Sequence, residues 1–467
     1  MMRRSAATCL LLVITSLANP SLPAHQAPPA ARAPATTAAA PAPGPAAAAP
    51  GRTRRPTPAP GSVFDAGRLE RIDTVVQRYV DDQRIAGAVT LVAERGRIAH
   101  LRAHGRRDVE RNVAMTTDTI FRIASMSKAV TSVAVMMLVE EGALQLGDPV
   151  SKHLPAFKNT TVAIPTPDGS PPGTAPITVP ARRAITIRDL LTHTAGISYG
   201  AGNPLETEYK AAGIHGWYFA DRNEPIGAVI DRLALLPFDA QPGERWVYGF
   251  STDILGRVVE IASGQPLDVF FQTRIFEPLR MTDTHFFLPR DKASRLATVY
   301  AAGPDGRIVR APDAGRTGQG EYVDGPRACF SGGAGLLSTV HDYARFLQML
   351  LDGGALDGVR LLSPASLALM TSNHVGTRYE GGNLGFGLGF EVVEHVGRAG
   401  RLAAPGEYGW GGAYYTEYWV DPADGIVGLL FAQLIPAGGL ELQNTFRTLV
   451  YQAIVRPPVH TSTGADR

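Results

Sequence analysis

The stretch from Ser125 to Glu141 constrains the fold more than any other part of the chain. It is apolar around most of its circumference, through Ala129, Val130, Val133, Ala134, Met136, Met137 and Val139. A helix with one apolar stripe can lie on a surface, but one that is apolar all round has to be enclosed by the rest of a domain. Gly142 ends it, as glycine readily takes the left-handed backbone of a helix C-terminus. The chain is long enough to wrap such a helix, with 467 residues of which 45% are hydrophobic. The helix opens on Ser125-Met126-Ser127-Lys128, and two polar groups at the mouth of a buried element call for a chemical reason.

Residues three apart on a helix share a face, so Lys128 can reach the Ser125 hydroxyl. A serine alcohol is a weak nucleophile that needs a base beside it. A lysine amine can be that base where burial disfavours its charged form, whereas an arginine does not deprotonate. Lysine is scarce here: with nineteen serines and five lysines, S-x-x-K should arise by chance about 0.2 times. It occurs once, at the start of the most apolar helix.

Two further segments carry chemistry. Pro242 to Ser251 contains Tyr248-Gly249-Phe250 and leads into a helix over Thr252 to Ala262. A phenol on such a turn can project into a cleft and, next to an ammonium, accept a proton at mild pH. Tyr408-Gly409-Trp410-Gly411-Gly412-Ala413 precedes an expected strand over Ala413 to Val420. Its glycines let the backbone pass close to a substrate, and an N–H at the start of that strand can join the Ser125 N–H as an oxyanion hole.

These three elements, in this order, resemble the serine β-lactamase and penicillin-binding-protein superfamily, and most closely its carboxylesterase branch, the family VIII esterases. The likeness runs from about Ser62 to Val455. Supporting stretches are Phe121-Arg122-Ile123-Ala124-Ser125, Ile187 to Gly196 (I-R-D-L-L-T-H-T-A-G), Phe276-Glu277-Pro278-Leu279-Arg280-Met281 and Gly335-Leu336-Leu337-Ser338-Thr339. The resemblance implies that Ser125 is the nucleophile, that Lys128 and Tyr248 form the base system, and that the N–H groups of Ser125 and Ala413 form the oxyanion hole. Two positions depart from the β-lactamase pattern. Phe250 replaces an asparagine that serves an acylamino group, and Trp410-Gly411-Gly412 replaces K-T-G, whose lysine serves a carboxylate. Phe250, Trp410, Gly411 and Gly412 are therefore expected to line an apolar substrate pocket suited to uncharged esters.

Other patterns are decoys or structural. Gly196-Ile197-Ser198-Tyr199-Gly200 matches G-x-S-x-G, but that motif needs a strand before the serine and a helix after it. Here a helix ending near His193 precedes Ser198 and a Gly/Pro loop follows. Gly385-Phe386-Gly387-Leu388-Gly389 lacks the strand–turn–helix setting of a dinucleotide site, and no histidine pair has the spacing of a helical zinc site. His193 reads as a support for its loop, and Cys329 as an inert buried thiol.

The ends of the chain read differently. Arg3-Arg4 followed by the apolar run Ala6 to Ala18 reads as an export signal within residues 1–25, with cleavage after Ala18 or Ala24. Residues 26–61 are almost all Ala, Pro, Thr, Gly and Arg, a composition for a disordered linker. The mature chain keeps one cysteine, Cys329, so no internal disulfide is expected, and export points to a bacterial periplasm or exterior. A net charge of +2 offers nothing for nucleic acid or an anionic membrane, and no run is apolar enough for a stable membrane span.

The expected fold class is α+β and β-lactamase/transpeptidase-like. An antiparallel sheet of about five strands would be flanked by helices, with a mainly helical subdomain inserted over about residues 150–328 of a 62–457 domain, and a disordered tail over 458–467. Helices are expected over Ala66 to Ile85, Pro266 to Ile275, His341 to Leu351 and Gly439 to Val455. Strands are expected at Ala88 to Ala93 and Ile98 to Ala103, around Arg95-Gly96, and at Leu384 to Val393 and Ile426 to Leu434. The expected reaction is hydrolysis of a small-molecule ester or amide without metal or cofactor. Its rivals are β-lactamase, D-alanyl-D-alanine peptidase or amidase chemistry on the same serine, and a silent binding protein of the same fold. The oligomeric state is open.

Overall fold

The computed structural model describes residues 62–164, 176–202 and 205–455. The expected export signal, linker and 458–467 tail lie outside the described residues.

Asp65 caps α1 (Ala66–Asp81) by accepting from the Arg68 N–H, and the helix buries Leu69, Ile72 and Val76. Strands β1 (Gly87–Glu94) and β2 (Arg97–Asp108) follow as a hairpin. Arg95 and Gly96 both take positive φ, the geometry a two-residue turn needs to match the twist of its strands. β3 (Val113–Ala114) borders β2. In α2 (Ser127–Glu140) every residue from Ser127 to Leu138 is buried. Three more helices matter for the site: α3 (Ile187–Leu191), closed by a Thr186/Asp189 capping box, α4 (Ser251–Ser263) and α5 (Val340–Leu351). The chain ends with β4 (Gly385–Phe386), β5 (Glu391–Val392), β6 (Tyr408–Gly412), β7 (Thr416–Asp421), β8 (Ile426–Phe431) and α6 (Leu442–Tyr451).

One antiparallel sheet runs β4-β5-β6-β7-β8-β1-β2-β3, and β8 beside β1 joins the two ends of the chain, Thr90 opposite Leu430. Alternate residues of these two strands enter different cores, as the two-residue period requires. Val92 and Leu430 meet α1 and α6 with Trp419 and Phe446. Leu91 and Leu429 face α2 and α5 with Val133 and Phe346. Helices on both faces explain why β1 and β8 are apolar along nearly their whole length.

Between residues 150 and 328 lie α3, α4, helices Glu206–Ala211, Ile226–Leu233 and Leu267–Phe271, and two small hairpins whose strands stay out of the main sheet. Ile187, Tyr209, Ile230 and Phe250 share one core with α2, so this region encloses the face of α2 that the sheet leaves uncovered. Among the described residues no helix is long and apolar enough to cross a membrane.

Several expected boundaries move. The sheet has eight strands, because three two-residue strands extend the five longer ones. Leu384 to Val393 is a hairpin, not one strand: Gly389 has φ 97°, and a Cβ there would lie 2.2 Å from Ser132 Oγ on α2. The strand expected from Ala413 starts at Thr416, since Tyr415 with φ 69° closes a turn, and Tyr408 to Gly412 is itself a strand. The helix expected over Pro266 to Ile275 is α-helical only to Phe271 and continues as a π turn to Phe276. The C-terminal helix is shorter at both ends than Gly439 to Val455.

Candidate active site

The segment before Ser125 is fixed by backbone pairing. Phe121–Arg122 pairs with Leu337–Ser338, and the Ile123 N–H donates to Leu336 O at 3.1 Å. Ala124 then takes φ 40°, a left-handed value uncommon for a residue with a Cβ and often held at functional sites by the surrounding structure. That bend starts a 3₁₀ turn, Ala124–Met126, leading directly into α2. Ser127 is structural: its hydroxyl donates to Ala124 O and accepts from the Leu336 N–H. Ser125 is left partly exposed.

Lys128 is 2% exposed. Its Nζ donates to Gly333 O at 2.8 Å, to the Tyr199 hydroxyl at 2.9 Å and to Ser125 Oγ at 3.2 Å. A neutral amine has two N–H groups and one lone pair. In that form, with Gly333 O and Tyr199 OH taking the two hydrogens, the lone pair would face Ser125, the arrangement a base requires. Nζ also lies 4.7 Å from the centre of the Tyr248 ring.

Tyr248 is held from several sides. The Val247 N–H donates to His193 O at 2.8 Å, the His193 ring packs 4.9 Å from the Tyr248 ring, and Trp246 stacks on it at 5.6 Å. A Cβ on Gly249 would come within 2.3 Å of Ile197 O, so glycine permits the close approach that sets Tyr199 edge-on to Tyr248 at 5.6 Å. The Trp410 Nε1–H donates to the Tyr248 hydroxyl at 3.1 Å. Gly412 plays the same part at the end of β6, where a Cβ would be 2.3 Å from Ile123 O. That contact carries β6 against the strand leading to Ser125.

Ser125, Tyr248, Trp410, Gly411 and Ala413 consequently line one cleft of about 400 Å³, with Lys128 beneath its floor. Phe250 does not join them. Its ring is fully buried, 4.9 Å from Tyr199 and stacked on Tyr209 at 6.3 Å, because position 250 starts α4 and turns into the helical core. Its expected place in the substrate pocket is therefore corrected: it backs the site through Tyr199. Ser198 stays outside the cleft and its Oγ accepts from the Gly200 N–H.

Tyr199, Gly333 and Asp253 were missed from the sequence. Tyr199 belongs to the G-x-S-x-G look-alike, whose informative residue is the tyrosine after the serine. Burial, with Tyr248 and Asp253 nearby, holds its phenol well above the usual tyrosine range. His193 is 1% exposed, and burial together with Lys128 keeps its pKa well below the ordinary histidine value, so it is a neutral wall, in line with its expected supporting role. Burial pushes the Cys329 thiol up to about 12, leaving it protonated and unreactive.

The cleft extends past Gly411 to Glu391, Glu417, Arg401 and Arg447. These arginines are paired: Arg401 with Glu391 at 2.5 Å and Glu407 at 3.5 Å, Arg447 with Glu407 and with Glu417 at 2.7 Å. The rim thus holds no unneutralised cation from this group.

Known proteins agree with this architecture. Protein Rv1367c of Mycobacterium tuberculosis is 36% identical over 383 residues, covering 77% of this chain and 89% of that protein. Esterase EstB of Burkholderia gladioli is 32% identical over 387 residues, covering 80% and 92%. Among solved structures, EstCE1, described as a hydrolase with promiscuous acyltransferase activity, superposes with a TM-score of 0.71 at 29% identity, over 83% of this chain and 99% of that one. The beta-lactamase family model matches residues 72–451, and the chain belongs to that family of serine-hydrolase enzymes.

Proposed function

We propose that this protein hydrolyses carboxylic esters through an acyl-enzyme on Ser125. The observation that carries this reading is the placement of Lys128 Nζ 3.2 Å from Ser125 Oγ, with Gly333 O and the Tyr199 hydroxyl as its other partners. A deprotonated amine there would have both hydrogens engaged and its lone pair free for the serine proton. Ser125 Oγ attacks the ester carbonyl carbon while its proton passes to the base system of Lys128 and Tyr248. The oxygen of the tetrahedral adduct is held by the Ser125 and Ala413 N–H groups. Collapse breaks the bond to the alkoxy oxygen, which leaves as alcohol with the proton from the base. Water then attacks the acyl-enzyme with the same assistance, releases the acid and restores Ser125.

Esters are favoured over β-lactams and peptides by what faces the cleft. Trp410 stands where the lactamase pattern has a lysine, and the arginines at the rim are neutralised by glutamates. A substrate carboxylate would be desolvated without a free cation, a cost an uncharged ester avoids. EstB is named an esterase and EstCE1 a hydrolase with acyltransferase activity, which supports the reading and adds a second: an alcohol replacing water in the last step would make the same acyl-enzyme a transferase.

The experiment is labelling with a serine-directed phosphonate followed by peptide mass spectrometry. One adduct, on Ser125, is expected, and Ser125→Ala should abolish both labelling and turnover of p-nitrophenyl butyrate. An adduct on Ser198 would overturn the assignment.

A further inference from the structure

Asp253 is a carboxylate buried to 1% exposure in the first turn of α4, five residues beyond Tyr248. Enclosing such a group is costly unless it is hydrogen-bonded and serves some end. Its Oδ1 accepts from the Ser331 hydroxyl at 2.5 Å and from the Gly333 N–H at 3.1 Å, and its Oδ2 has no hydrogen-bond partner. We infer that Asp253 is a positioning residue for Lys128, acting through the Ser331–Gly335 loop to aim the Gly333 carbonyl at the amine. This rests on the reading that Lys128 activates Ser125.

The chain of contacts is short. Asp253 holds Gly333 by its N–H, and the carbonyl of the same residue accepts from Lys128 Nζ. A carbonyl can only accept, so Gly333 O always claims one N–H of the amine. Tyr199 OH could donate or accept, and Ser125 Oγ must receive the lone pair for catalysis. Gly333 O is thus the contact that decides which way the lone pair points. The loop is also tied to α2 directly: Thr131 Oγ1 donates to Gly332 O at 2.7 Å, and the Leu336 N–H donates to Ser127 Oγ at 3.0 Å. Its glycines are sterically required, since a Cβ on Gly333 would be 2.5 Å from Asp253 Oδ2 and one on Gly332 would be 2.9 Å from Thr252 O. Asp253 thereby couples the helix that follows Tyr248 to the helix that carries Lys128.

Charge adds to position. Burial raises the Asp253 carboxyl above its ordinary range, and Lys128 opposes that rise. The other titratable groups near Asp253 are Tyr199 and Cys329, and His193 is a further one near Lys128.

Two variants test the proposal, with p-nitrophenyl butyrate as substrate and the phosphonate as probe. Asp253→Ala should lower kcat at least about tenfold with KM nearly unchanged, and slow phosphonate labelling of Ser125 in parallel. A defect in packing alone would not track the labelling rate. Asp253→Asn keeps the Oδ1 acceptor for Ser331 and Gly333, so it should recover most of kcat and of the labelling rate. Unreduced kcat in folded Asp253→Ala overturns the proposal, as does a folded Asp253→Asn whose kcat falls about tenfold or more, which decides the matter if the alanine variant does not fold. Unmutated protein run alongside separates the two levels: an unlabelled Ser125 there sinks the esterase reading itself, whereas normal labelling with a silent Asp253 sinks only this one.

Discussion

Trp410 and Tyr248 come from opposite sides of the cleft and meet through a 3.1 Å hydrogen bond, the indole N–H donating to the phenol oxygen. A donor aimed at that oxygen fixes the phenol's orientation and supports charge that develops on it in a transition state, so the tryptophan is more than an apolar wall. Trp410→Phe keeps the wall and removes the donor. Its kcat should fall about tenfold with KM little changed. Unreduced kcat in the folded variant would reduce Trp410 to a packing residue.

Lys128 has room for an amine and little more, with acceptors at 2.8 and 2.9 Å. Lys128→Arg retains the positive charge but cannot accept a proton, so kcat should drop by about two orders of magnitude or more. Tyr248→Phe should lose a similar factor while leaving thermal unfolding nearly unchanged. Near-parental turnover in either folded variant would place the base elsewhere.

How much of this was legible depends on whether the signal is local. The apolar girth of α2 and the Ser125–Lys128 spacing lie within a few residues, and the structure has both as expected. The Arg95-Gly96 turn is equally local. Phe250 and Tyr199 are not legible in this way because their orientation is tertiary: Phe250 is the residue before α4 and turns with the helix into the core, while Tyr199 reaches Lys128 only because Gly249 lets two loops touch. Asp253 reads as an ordinary polar residue near a helix start, and its neighbour in space, Gly333, is 80 residues away. The G-F-G-L-G run shows in the sequence only that it lacks a strand–turn–helix setting; that its glycines form a hairpin fitted against Ser132 is again a tertiary fact.

Gly412 offers a purely steric test. A Cβ there would stand 2.3 Å from both Ile123 O and Thr416 Oγ1, and backbone cannot yield as a flexible side chain would. Gly412→Ala should move β6 away from the Ser125 turn, costing about 1–3 kcal/mol of stability and lowering kcat far more than KM, since oxyanion donors act in the transition state. Unaltered unfolding temperature and kcat would show that the close approach is not needed.

Acid stability should depend on His100. It is buried against Thr90 at 2.8 Å, and burial lowers its pKa from 6.5 to about 4. The unfolded chain takes up a proton near pH 6.5 that the folded protein resists until about pH 4. Its contribution is thus complete above pH 6.5 and is lost as pH falls towards 4, on the order of 3 kcal/mol in all. His285, also lowered to about 4, acts in the same direction. Asp342, raised by burial to about 6, acts in the opposite one, its contribution being present at low pH and lost as pH rises through 6. Urea unfolding of His100→Gln between pH 7 and 4.5 should therefore show a shallower loss than the parent. Parallel curves would mean that His100 is protonated alike in both states.

The choice between ester and β-lactam rests on charge at the rim of the cleft. A β-lactam such as nitrocefin brings a carboxylate, and burying that anion without a counter-charge costs free energy that p-nitrophenyl butyrate does not incur. Arg401 lines the cleft but is engaged by Glu391 at 2.5 Å and Glu407 at 3.5 Å, and Arg447 by Glu407 and Glu417. The butyrate ester should accordingly be hydrolysed at least about a hundredfold better in kcat/KM, or roughly 2.7 kcal/mol. Two variants should narrow the gap by different routes. Trp410→Lys supplies a new cation at the lactamase position, and Glu391→Gln releases part of the charge already on Arg401. Both effects should fade as salt is added, because exposed charges are screened over about 10 Å at 0.1 M. Comparable efficiency on nitrocefin in the unmutated protein would mean that Arg401 recognises the carboxylate despite its glutamate partners, and the ester assignment would give way to a β-lactamase on the same Ser125.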